Sequence, residues 1–578
     1  MIEAIFGSPD QTNGPSLLFD RPTRSYSANQ LSDVIPLLKK AEMAAQSGSW
    51  VALFLSYEAA PAFDVALKTH DSGLLPLAWA AEFAAPSSIK TEPNGGAYKL
   101  TDWEPQISRS TYRDSVSRIS DAITRGDTYQ VNYTFHLVSN FLGDPRSCYR
   151  HLCRAQESKH SVYLDLGRHK ILCLSPELFF QRRADEIETR PMKGTIKRGR
   201  SQEEDLAMAT ALAESEKERA ENVMIVDLLR NDLGKVCLPG SVKVPRLFEV
   251  ERFPTLWQMT STVKANVRRD VDLAGLMAAL FPCGSITGAP KIRTMEIIRE
   301  LESLPRGVYT GTIGLIQPGG DCIFNVAIRT IVIDSQTGIA TFGVGGGITI
   351  DSTAEREYEE CLLKTSFLNT SVAPFRLLES ILLEDGEFFL LDRHLDRLSA
   401  SAEYFGFSFS EGRAMEELRR AAANCATGKW KIRLLLGKNG DTGTDSVPLE
   451  LHNQQLLRVG LALEPVDSGD RFLFHKTTNR VVYQRALQGR PDCDDVILWN
   501  ERGEITESTV SNVVVSLDGE LYTPAQESGL LAGTFRAELL EAAKIRERVI
   551  YTAEIKRAEK LFLINSVRKW REAVLDRR

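Results

Sequence analysis

The sequence predicts an α+β protein with more than one domain. Short strand-like apolar runs, such as residues 50–57, recur between turns, and helical repeats, such as residues 110–126, lie among them. A polar segment at 369–374 precedes a fresh strand-turn-strand pattern at 375–386. A chain of 578 residues has room for roughly two to four domains. We predict two, comprising residues 1–370 and 371–578.

Composition excludes several classes of function. The chain is 43% hydrophobic and 25% charged, with a net charge of −7 and no long basic run, so neither a nucleic-acid nor a membrane partner is expected. The N-terminal residues do not resemble a secretory signal, and no apolar run of about 18 residues is present to cross a membrane. Nine cysteines are scattered without a C-x-x-C pair. They indicate a reducing, cytoplasmic environment and no zinc site.

In the first half, two predicted helices carry carboxylates along one face. Residues 203–229 read as one long helix and residues 352–368 as another. The aligned side chains are Glu214, Glu218 and Glu221 on the first helix and Glu357, Glu360 and Lys364 on the second. Such faces are usually solvated, and we interpret Glu214 in that way. The two faces together could instead hold a hard divalent cation such as Mg²⁺.

Three further segments of the first half have alternative interpretations. Residues 189–195 read as a polar turn, so Lys193 is either a solvated lysine or an amine nucleophile with a lowered pKa. Residues 281–291 are either an anion site at a helix N-terminus or a plain glycine-rich helix start. Strands are predicted at 309–314, 324–329 and 341–348, and the glycine run in the last one indicates close approach of a ligand to backbone.

The second half alternates strands and helices again. Strands are predicted at 429–436 and 495–499, with a polar turn region at 438–446. Residues 504–515 follow a turn at 502–503, and residues 561–566 lie near the end of the chain. Helices are predicted from residue 391 to 404, after residue 480 and from residue 534.

Residues 1–370 contain ordered motifs of the chorismate-utilising enzymes. The motifs are Ser175-Pro176-Glu177, Arg190-Pro191-x-x-Gly194-Thr195, Asp227-Leu228-x-Arg230-Asn231-Asp232-Leu233-Gly234, Gly284-Ser285-Ile286-Thr287-Gly288-Ala289-Pro290-Lys291 and Gly345-Gly346-Gly347-Ile348. The segment therefore resembles anthranilate synthase component I, aminodeoxychorismate synthase component I and isochorismate or salicylate synthases. The resemblance implies a chorismate-binding β-sandwich core with flanking helices.

One motif discriminates within this family. Pro191-Met192-Lys193-Gly194-Thr195 is similar to aminodeoxychorismate synthases, whereas anthranilate synthases carry alanine in place of the lysine. The resemblance implies that Lys193 attacks C2 of chorismate, that Glu177 is the general acid for the departing C4 hydroxyl, and that ammonia enters at C4. It also implies Mg²⁺ on Glu221 and Glu360. The implied substrate-binding residues are Arg329, Tyr309, Lys364, Ser285, Gly345, Gly346 and Gly347. Gln258 departs from the histidine of many relatives, so we assign it no acid or base role.

Residues 371–578 contain a second ordered set of motifs. They are Leu391-Asp392-Arg393-His394-Leu395-x-Arg397-Leu398, His475-Lys476-Thr477, Glu507-x-x-x-Ser511-Asn512, Leu531-Ala532-Gly533-Thr534 and Asn565-Ser566. The set resembles the fold-type IV pyridoxal-phosphate enzymes, which include aminotransferases and aminodeoxychorismate lyase and have two subdomains. It implies that Lys476 binds pyridoxal 5′-phosphate and that Glu507 keeps the pyridine nitrogen protonated. The implied phosphate-binding residues are Arg397, Gly533, Thr534 and Ser566.

Together the two resemblances imply a bifunctional enzyme of 4-aminobenzoate and folate precursor synthesis. The first domain would make 4-amino-4-deoxychorismate, and the second would remove pyruvate from it. No glutaminase segment is recognised, so a separate glutamine amidotransferase subunit is expected to supply ammonia. The second domain also implies a homodimer, unless the first domain covers that surface.

Several alternatives stay open at this level. An anthranilate or isochorismate synthase domain fused to a fold-type IV aminotransferase is the alternative enzyme, and a scaffold that tunes an amidotransferase is the alternative without catalysis. The sequence does not fix the oligomeric state, the transfer of intermediate between the sites, or a tryptophan-like ligand near residues 56–58.

Overall fold

Strands and helices are interspersed throughout the part of the chain that the structure describes. A computed structural model describes residues 2–7, 16–88, 96–369, 374–425, 427–449 and 456–576. Contacts group the chain into two compact units, Met1–Lys197 with Ala209–Val372 and Arg198–Met208 with Ala373–Arg578. The predicted boundary between residues 370 and 371 lies outside the described residues, so the division into two domains there stays a prediction.

The first half of the chain forms twenty-one strands and eight α-helices in the described ranges. In order they are β1 (Glu3–Phe6), β2 (Leu17–Asp20), β3 (Arg24–Ala28), α1 (Leu31–Gln46), β4 (Trp50–Leu55), β5 (Ala78–Phe83), β6 (Ser87–Ser88), β7 (Tyr98–Leu100), β8 (Glu104–Pro105), α2 (Arg109–Thr124), β9 (Gln130–Gly143), α3 (Pro145–Gln156), β10 (His160–Asp165), β11 (His169–Ser175), β12 (Leu178–Arg183), β13 (Glu186–Arg190), β14 (Met192–Lys197), α4 (Gln202–Glu214), α5 (Glu216–Gly234), β15 (Lys243–Arg252), β16 (Leu256–Asn266), α6 (Leu273–Leu280), β17 (Gly288–Ala289), α7 (Lys291–Leu301), β18 (Thr312–Ile316), β19 (Cys322–Val326), β20 (Thr330–Asp334), β21 (Ile339–Ile348) and α8 (Ala354–Leu363).

Two large sheets form a sandwich in the first unit. One has the order β17-β9-β21-β20-β11-β10-β1-β2-β6, with β7 and β8 on β9, and the other β14-β16-β13-β12-β19-β18-β4-β5-β3, with β15 on β16. Side chains of both sheets share an apolar cluster that includes Phe19 and Phe54. The opposite faces pack on helices, α1, α5 and α6 on one sheet and α2, α3, α7 and α8 on the other. This arrangement confirms the predicted sandwich with flanking helices.

The second half forms twelve strands and five α-helices in the described ranges. They are β22 (Leu377–Glu384), β23 (Glu387–Phe388), α9 (Leu391–Phe405), α10 (Glu411–Ala423), β24 (Lys429–Leu436), β25 (Thr442–Pro448), β26 (Leu457–Leu461), α11 (Val481–Gly489), β27 (Asp495–Trp499), β28 (Ile505–Ser508), β29 (Asn512–Leu517), β30 (Glu520–Pro524), α12 (Thr534–Glu541), β31 (Arg546–Arg548), α13 (Thr552–Ile555), β32 (Lys560–Asn565) and β33 (Lys569–Leu575). Four strands form the sheet β23-β22-β24-β25, and eight form the sheet β28-β27-β26-β33-β32-β29-β30-β31.

Several element predictions are wrong, for identifiable reasons. The single helix at 203–229 is two helices, because the side chain of Ser215 caps α5 by accepting a hydrogen bond from the amide of Glu218. The turn at 189–195 is mostly strand, since β14 pairs with β16. The polar region 438–446 contains the start of β25, whose seven residues pair with β24 although they alternate poorly. The final strand β33 was not predicted.

The structure also bears on the cysteines and on the length of the helices. All nine cysteines are free thiols. Among the described helices, none combines the length and the hydropathy that a membrane-crossing helix needs.

Truncating Phe324 tests the packing of the first unit. Its ring is fully buried, stacks on Phe180 with centroids 5.1 Å apart, and occupies the space beside Gly314. We expect Phe324→Ala to lower the free energy of unfolding of this unit by about 3–5 kcal/mol, measured by urea denaturation. Leu142→Ala is the control, since Leu142 is 76% exposed. Equal unfolding curves for the two variants would contradict the packing described.

Candidate active sites

A cavity of about 160 Å³ in the first unit brings together all the residues that the sequence assigned to the first site. The assigned residues that line it are Glu177, Lys193, Glu221, Ser285, Tyr309, Arg329, Gly345, Gly346, Gly347, Glu360 and Lys364. They come from both sheets, from the loops beside them, and from helices α5 and α8.

Lys193 lies on β14 and extends toward the glycine strand β21. A Cβ atom added at Gly347 would lie 3.1 Å from Lys193 Nζ and would overlap the side chain of Gln130. A Cβ at Gly345 would overlap the backbone of Tyr133. The glycine run therefore leaves room for side chains that converge on the cavity. Glycine inside a strand often marks such a close approach. Burial lowers the pKa of Lys193, although Glu221 and Glu177 oppose the shift.

Glu177 is a buried carboxyl group close to this lysine. Burial raises its pKa to about 7, although a hydrogen bond to Ser285 and the charge of Lys193 act in the opposite direction. Its Oε1 atom is buried and makes no hydrogen bond among the described residues. A carboxyl with such a pKa can give up and take back a proton near neutral pH.

Four glutamates of α5 and α8 line the same cavity. The predicted Glu221 and Glu360 each lie beside a lysine, at 3.9 Å from Lys217 and 2.9 Å from Lys364. Glu218 and Glu357 are the other two, and burial raises both of their pKa values. The sequence placed them on the right faces but did not assign them a role. Among the described residues, no three of these carboxylates converge within 4.8 Å of one another.

This donor set fits a hard cation. Carboxylate oxygens are the ligands that Mg²⁺ prefers, and it is usually bound by one or two of them together with substrate and water. Burial raises the pKa values of Glu218 and Glu357 although neighbouring lysines oppose both shifts, so a bound cation would favour their charged forms. Glu221 and Glu360 would be the carboxylates that hold the ion.

The remaining predicted residues of the first site line the cavity as polar and backbone donors. Arg329 has a positive φ of 51°, a strained conformation often seen at functional sites, and its guanidinium donates to the side chain of Gln156. Tyr309 is buried against Gly343, where a Cβ would overlap the tyrosine ring. Lys364 Nζ donates to the carbonyl of Gly345 at 3.0 Å. Gln258, the departure from the family pattern, also lines the cavity.

In the second unit, Lys476 and Glu507 are electrostatic neighbours. Burial and then the charge of Arg397 lower the pKa of Lys476 to about 8, with Glu507 among the groups that oppose the shift. Burial raises the pKa of Glu507 to about 7. Tyr483 Oη donates to Glu507 Oε1 at 2.7 Å, and Asn512 Nδ2 donates to Oε2 at 3.5 Å. No sequence signal identified this tyrosine.

Arg397 is anchored in a buried cluster that the sequence did not reveal. Its Nε and Nη2 atoms donate to Glu379 at 2.9 and 2.7 Å, and Nη1 donates to the carbonyl of Ala532 at 3.0 Å. His394 Nδ1 lies 2.7 Å from the same carboxylate. The pKa of Glu379 is lowered to about 2. Burial opposes this shift, whereas Arg397 and His394 favour it. Two of the five guanidinium N–H groups remain for an anion.

The other predicted phosphate-binding residues, Gly533, Thr534 and Ser566, lie at or next to element ends of the second unit. Gly533 is the N-cap of α12 and makes no side-chain cap, so the first amides of the helix are available to an anion. Thr534 Oγ1 lies 3.3 Å from His394 Nε2, and Ser566 Oγ donates to the carbonyl of Ser380 at 3.3 Å. A lysine with a lowered pKa, a buried carboxyl and a helix N-terminus are the groups that hold pyridoxal phosphate.

The sequence matches two families. Residues 10–370 match the chorismate binding enzyme family, and residues 376–574 match the amino-transferase class IV family. The second match implies pyridoxal phosphate as a cofactor.

Individual relatives agree with the first match. Aminodeoxychorismate synthase component 1 of Klebsiella aerogenes is 40% identical over 304 residues, which cover 52% of this chain and 65% of the relative. The protein of the same name from Bacillus subtilis strain 168 is 39% identical over 287 residues, covering 50% of this chain and 60% of the relative. The chain thus spans about three fifths of the length of these curated relatives.

A solved structure shows the same fold in the first unit. Anthranilate synthase component I from Streptococcus pneumoniae TIGR4 superposes with a TM-score of 0.54 at 25% identity, covering 62% of this chain and 93% of that protein. The family profile extends over residues 10–370, more than half of the sequence. The chain belongs to the family of chorismate-binding enzymes.

Proposed function

We propose that the chain is a bifunctional enzyme that aminates chorismate at C4 and then eliminates pyruvate to give 4-aminobenzoate. The observation that carries the first activity is Lys193, whose amine extends over the glycine strand of the cavity and has a lowered pKa. The relatives named aminodeoxychorismate synthase component 1 support the same reaction. Their partial coverage makes the activity of this chain a proposal.

In the first reaction, two allylic displacements replace one difficult step. The neutral amine of Lys193 forms a bond to C2 of chorismate, the ring double bonds shift, and the C4–O bond breaks. Glu177 gives its proton to the departing hydroxyl, which leaves as water. Ammonia then forms a bond at C4, the double bonds shift back, and the bond to Lys193 breaks. The proton lost by ammonia restores Glu177 and the ring is left as 4-amino-4-deoxychorismate.

The cavity can accept a dicarboxylate together with a divalent cation. Five carboxylates line it, against three lysines and Arg329. Chorismate carries two negative charges, so loading it with Mg²⁺ leaves this balance unchanged. We assign Mg²⁺ to Glu221 and Glu360, where it would offset charge on the ring carboxylate. Arg329, Tyr309, Ser285, Lys364 and the amides of Gly345, Gly346 and Gly347 would hold the substrate carboxylates.

The second activity belongs to the pyridoxal-phosphate unit. Pyridoxal phosphate, when bound, would supply an electron sink for the electrons released at C4. We assign its covalent attachment and the transfer of the C4 proton to Lys476, and the proton on the pyridine nitrogen to the charge of Glu507. Arg397, Gly533, Thr534 and Ser566 would hold the phosphate. The bond between C3 and the enolpyruvyl oxygen would then break, the proton taken from C4 by Lys476 would pass to the departing enolpyruvate, which leaves as pyruvate, and the ring would become aromatic, which drives the reaction.

We assign lyase rather than aminotransferase chemistry to the second unit because it is fused to the first. The first unit would make the compound that a lyase of this fold consumes, so both activities would act successively on one metabolite. Ammonia would come from a glutamine amidotransferase subunit, because the relatives are named as component 1 of a synthase. A homodimer through the second unit stays a prediction, as does the cytoplasmic location that the free cysteines favour.

An anthranilate synthase activity is the second candidate. It is favoured by the anthranilate synthase component 1 of Aquifex aeolicus strain VF5, which is 37% identical over 284 residues. Lys193 opposes it, since the corresponding motif of anthranilate synthases has alanine. The two candidates differ in product.

A product assay separates these candidates. We expect the purified chain with pyridoxal phosphate, chorismate, Mg²⁺ and ammonia to form 4-aminobenzoate and pyruvate, detected by chromatography. Lys193→Ala should slow amination at least about a hundredfold, because it removes the nucleophile. Lys197→Ala is the matched control, since Lys197 is exposed on the same strand. Formation of anthranilate would refute the proposal.

The pH dependence of amination tests Glu177. Its pKa of about 7 means that the protonated acid is lost as the pH rises through neutrality, while the neutral amine of Lys193 is gained, so we expect the rate to level off there and to fall about tenfold per pH unit once that amine is fully neutral. The measurement keeps free ammonia constant at each pH. Glu177→Gln should remove this limb and most of the activity, whereas Glu214→Gln, at the exposed end of α4, should keep both. A Glu177→Gln profile that matches the wild type would exclude this role.

Absorbance tests the cofactor lysine. We expect the visible band of bound pyridoxal phosphate to disappear in Lys476→Ala and to persist in Lys544→Ala, whose lysine is exposed in the same unit. Amination of chorismate should be unchanged in both variants, because the first site is intact. A visible band that survives in Lys476→Ala would show that another lysine binds the cofactor.

A further inference from the structure

A short segment in the first half of the sequence belongs structurally to the second unit. Residues Arg198–Met208 cluster with Ala373–Arg578, although they directly follow β14, which carries Lys193. The segment contains a turn and the beginning of α4. Its contacts with the second unit are specific and mostly buried.

An ion pair gives the segment a fixed shape. Arg198 donates to both oxygens of Asp205 at 2.6 and 2.7 Å, and both side chains are only 5% exposed. Arg198 Nη2 also donates to the carbonyl of Tyr404 at 2.9 Å, with the guanidinium 4.4 Å from the centre of the tyrosine ring. A buried pair with additional hydrogen bonds holds one geometry.

Gly199 is required at the centre of this turn. Its amide donates to Asp205 Oδ1 at 2.9 Å, and its carbonyl accepts a hydrogen bond from Tyr404 Oη at 2.7 Å. A Cβ atom at this position would overlap the backbone atoms of Glu204 and Asp205. Any side chain at residue 199 therefore displaces the turn.

The next residue contacts the histidine that precedes Lys476. The carbonyl of Arg200 lies 3.2 Å from His475 Nε2, and Ser401 Oγ lies 2.9 Å from His475 Nδ1. A carbonyl only accepts, so Nε2 carries the proton and Nδ1 accepts from the serine. Burial lowers the pKa of His475 to about 3, which keeps the ring neutral. The imidazole also packs 4.3 Å from the ring of Tyr404.

The loop that carries His475 and Lys476 is also fixed by the four-stranded sheet. The amide of Leu378 donates to the carbonyl of Lys476 at 3.0 Å, and Leu377 forms a bridge with Thr477. The loop that carries Lys476 is therefore held between β22 and the turn at Arg198–Arg200. Arg200 adds a further anchor, since its Nη1 atom donates to the carbonyls of Ser468 and Glu527 at 3.3 and 3.2 Å.

We propose that Arg198, Gly199 and Arg200 are positioning residues for Lys476, so that the pyridoxal-phosphate unit is completed by a piece of chain from the other half of the sequence. The proposal rests on the proposed role of Lys476 in binding the cofactor. The turn acts through His475 and contacts neither substrate nor cofactor.

Full-length Gly199→Ala and Tyr404→Phe test this proposal, with Gly412→Ala as the matched control because a Cβ at Gly412 meets no atom within 4 Å. The first readout is hydrogen exchange of residues 474–480 in the cofactor-free chain. We expect exchange to be about tenfold faster in Tyr404→Phe, as for one lost hydrogen bond, and faster still in Gly199→Ala. The second readout is the visible circular dichroism of bound pyridoxal phosphate, which should change in both variants.

Exchange and circular dichroism equal to those of Gly412→Ala would overturn the proposal. Tyr404→Phe keeps the ring and removes only the hydroxyl, so it carries the test if Gly199→Ala does not fold. Amination of chorismate by Tyr404→Phe should equal that of the wild type. Failure of the proposed lyase function would appear separately, as wild-type protein that binds the cofactor without forming 4-aminobenzoate.

Discussion

The balance of charge inside one cavity is the constraint on which the first unit depends. Carboxylates from α5 and α8 and the amine of Lys193 line the same cavity, and an uncompensated charge is costly for those that are buried. Both sheets and both helices must keep their positions for these groups to compensate one another. The glycines of β21 serve the same end, because side chains there would push the charges apart.

The second unit also buries carboxylates, but it compensates their charges in a different way. Glu379 is fully surrounded by protein, is paired with the guanidinium of Arg397 and lies within hydrogen-bond distance of His394, so its charge stabilises the site without being offered to a ligand. Glu507 forms no salt bridge among the described residues, and burial keeps its pKa raised although the charges of Lys476 and Arg480 oppose the shift. A protonated pyridine nitrogen would supply the missing charge. The contrast between these two glutamates separates a structural carboxylate from one that awaits a ligand.

The sequence predicted the fold class, most strands and the residues of the first cavity, because apolar periodicity and short motifs are local signals. It placed Lys193 in a turn, since the irregular pairing of β14 with β16 depends on residues far away in the chain. It missed Glu379 and Tyr483, whose importance arises only when distant elements meet. It joined α4 to α5, because the helical pattern runs through Ser215 and the capping serine is a weak signal beside it.

The path of the chain has a consequence for how the protein is made. The chain enters the second unit at Arg198, leaves it after Met208 and returns only at Ala373. During synthesis, the turn that holds His475 emerges long before His475 itself, and residues 209–372 must be accommodated between the two. Dividing the gene at the junction of its two sequence families would separate the lysine loop from its support. The chain is therefore more than two complete proteins joined end to end, because the second unit includes residues Arg198–Met208 from the first half of the sequence.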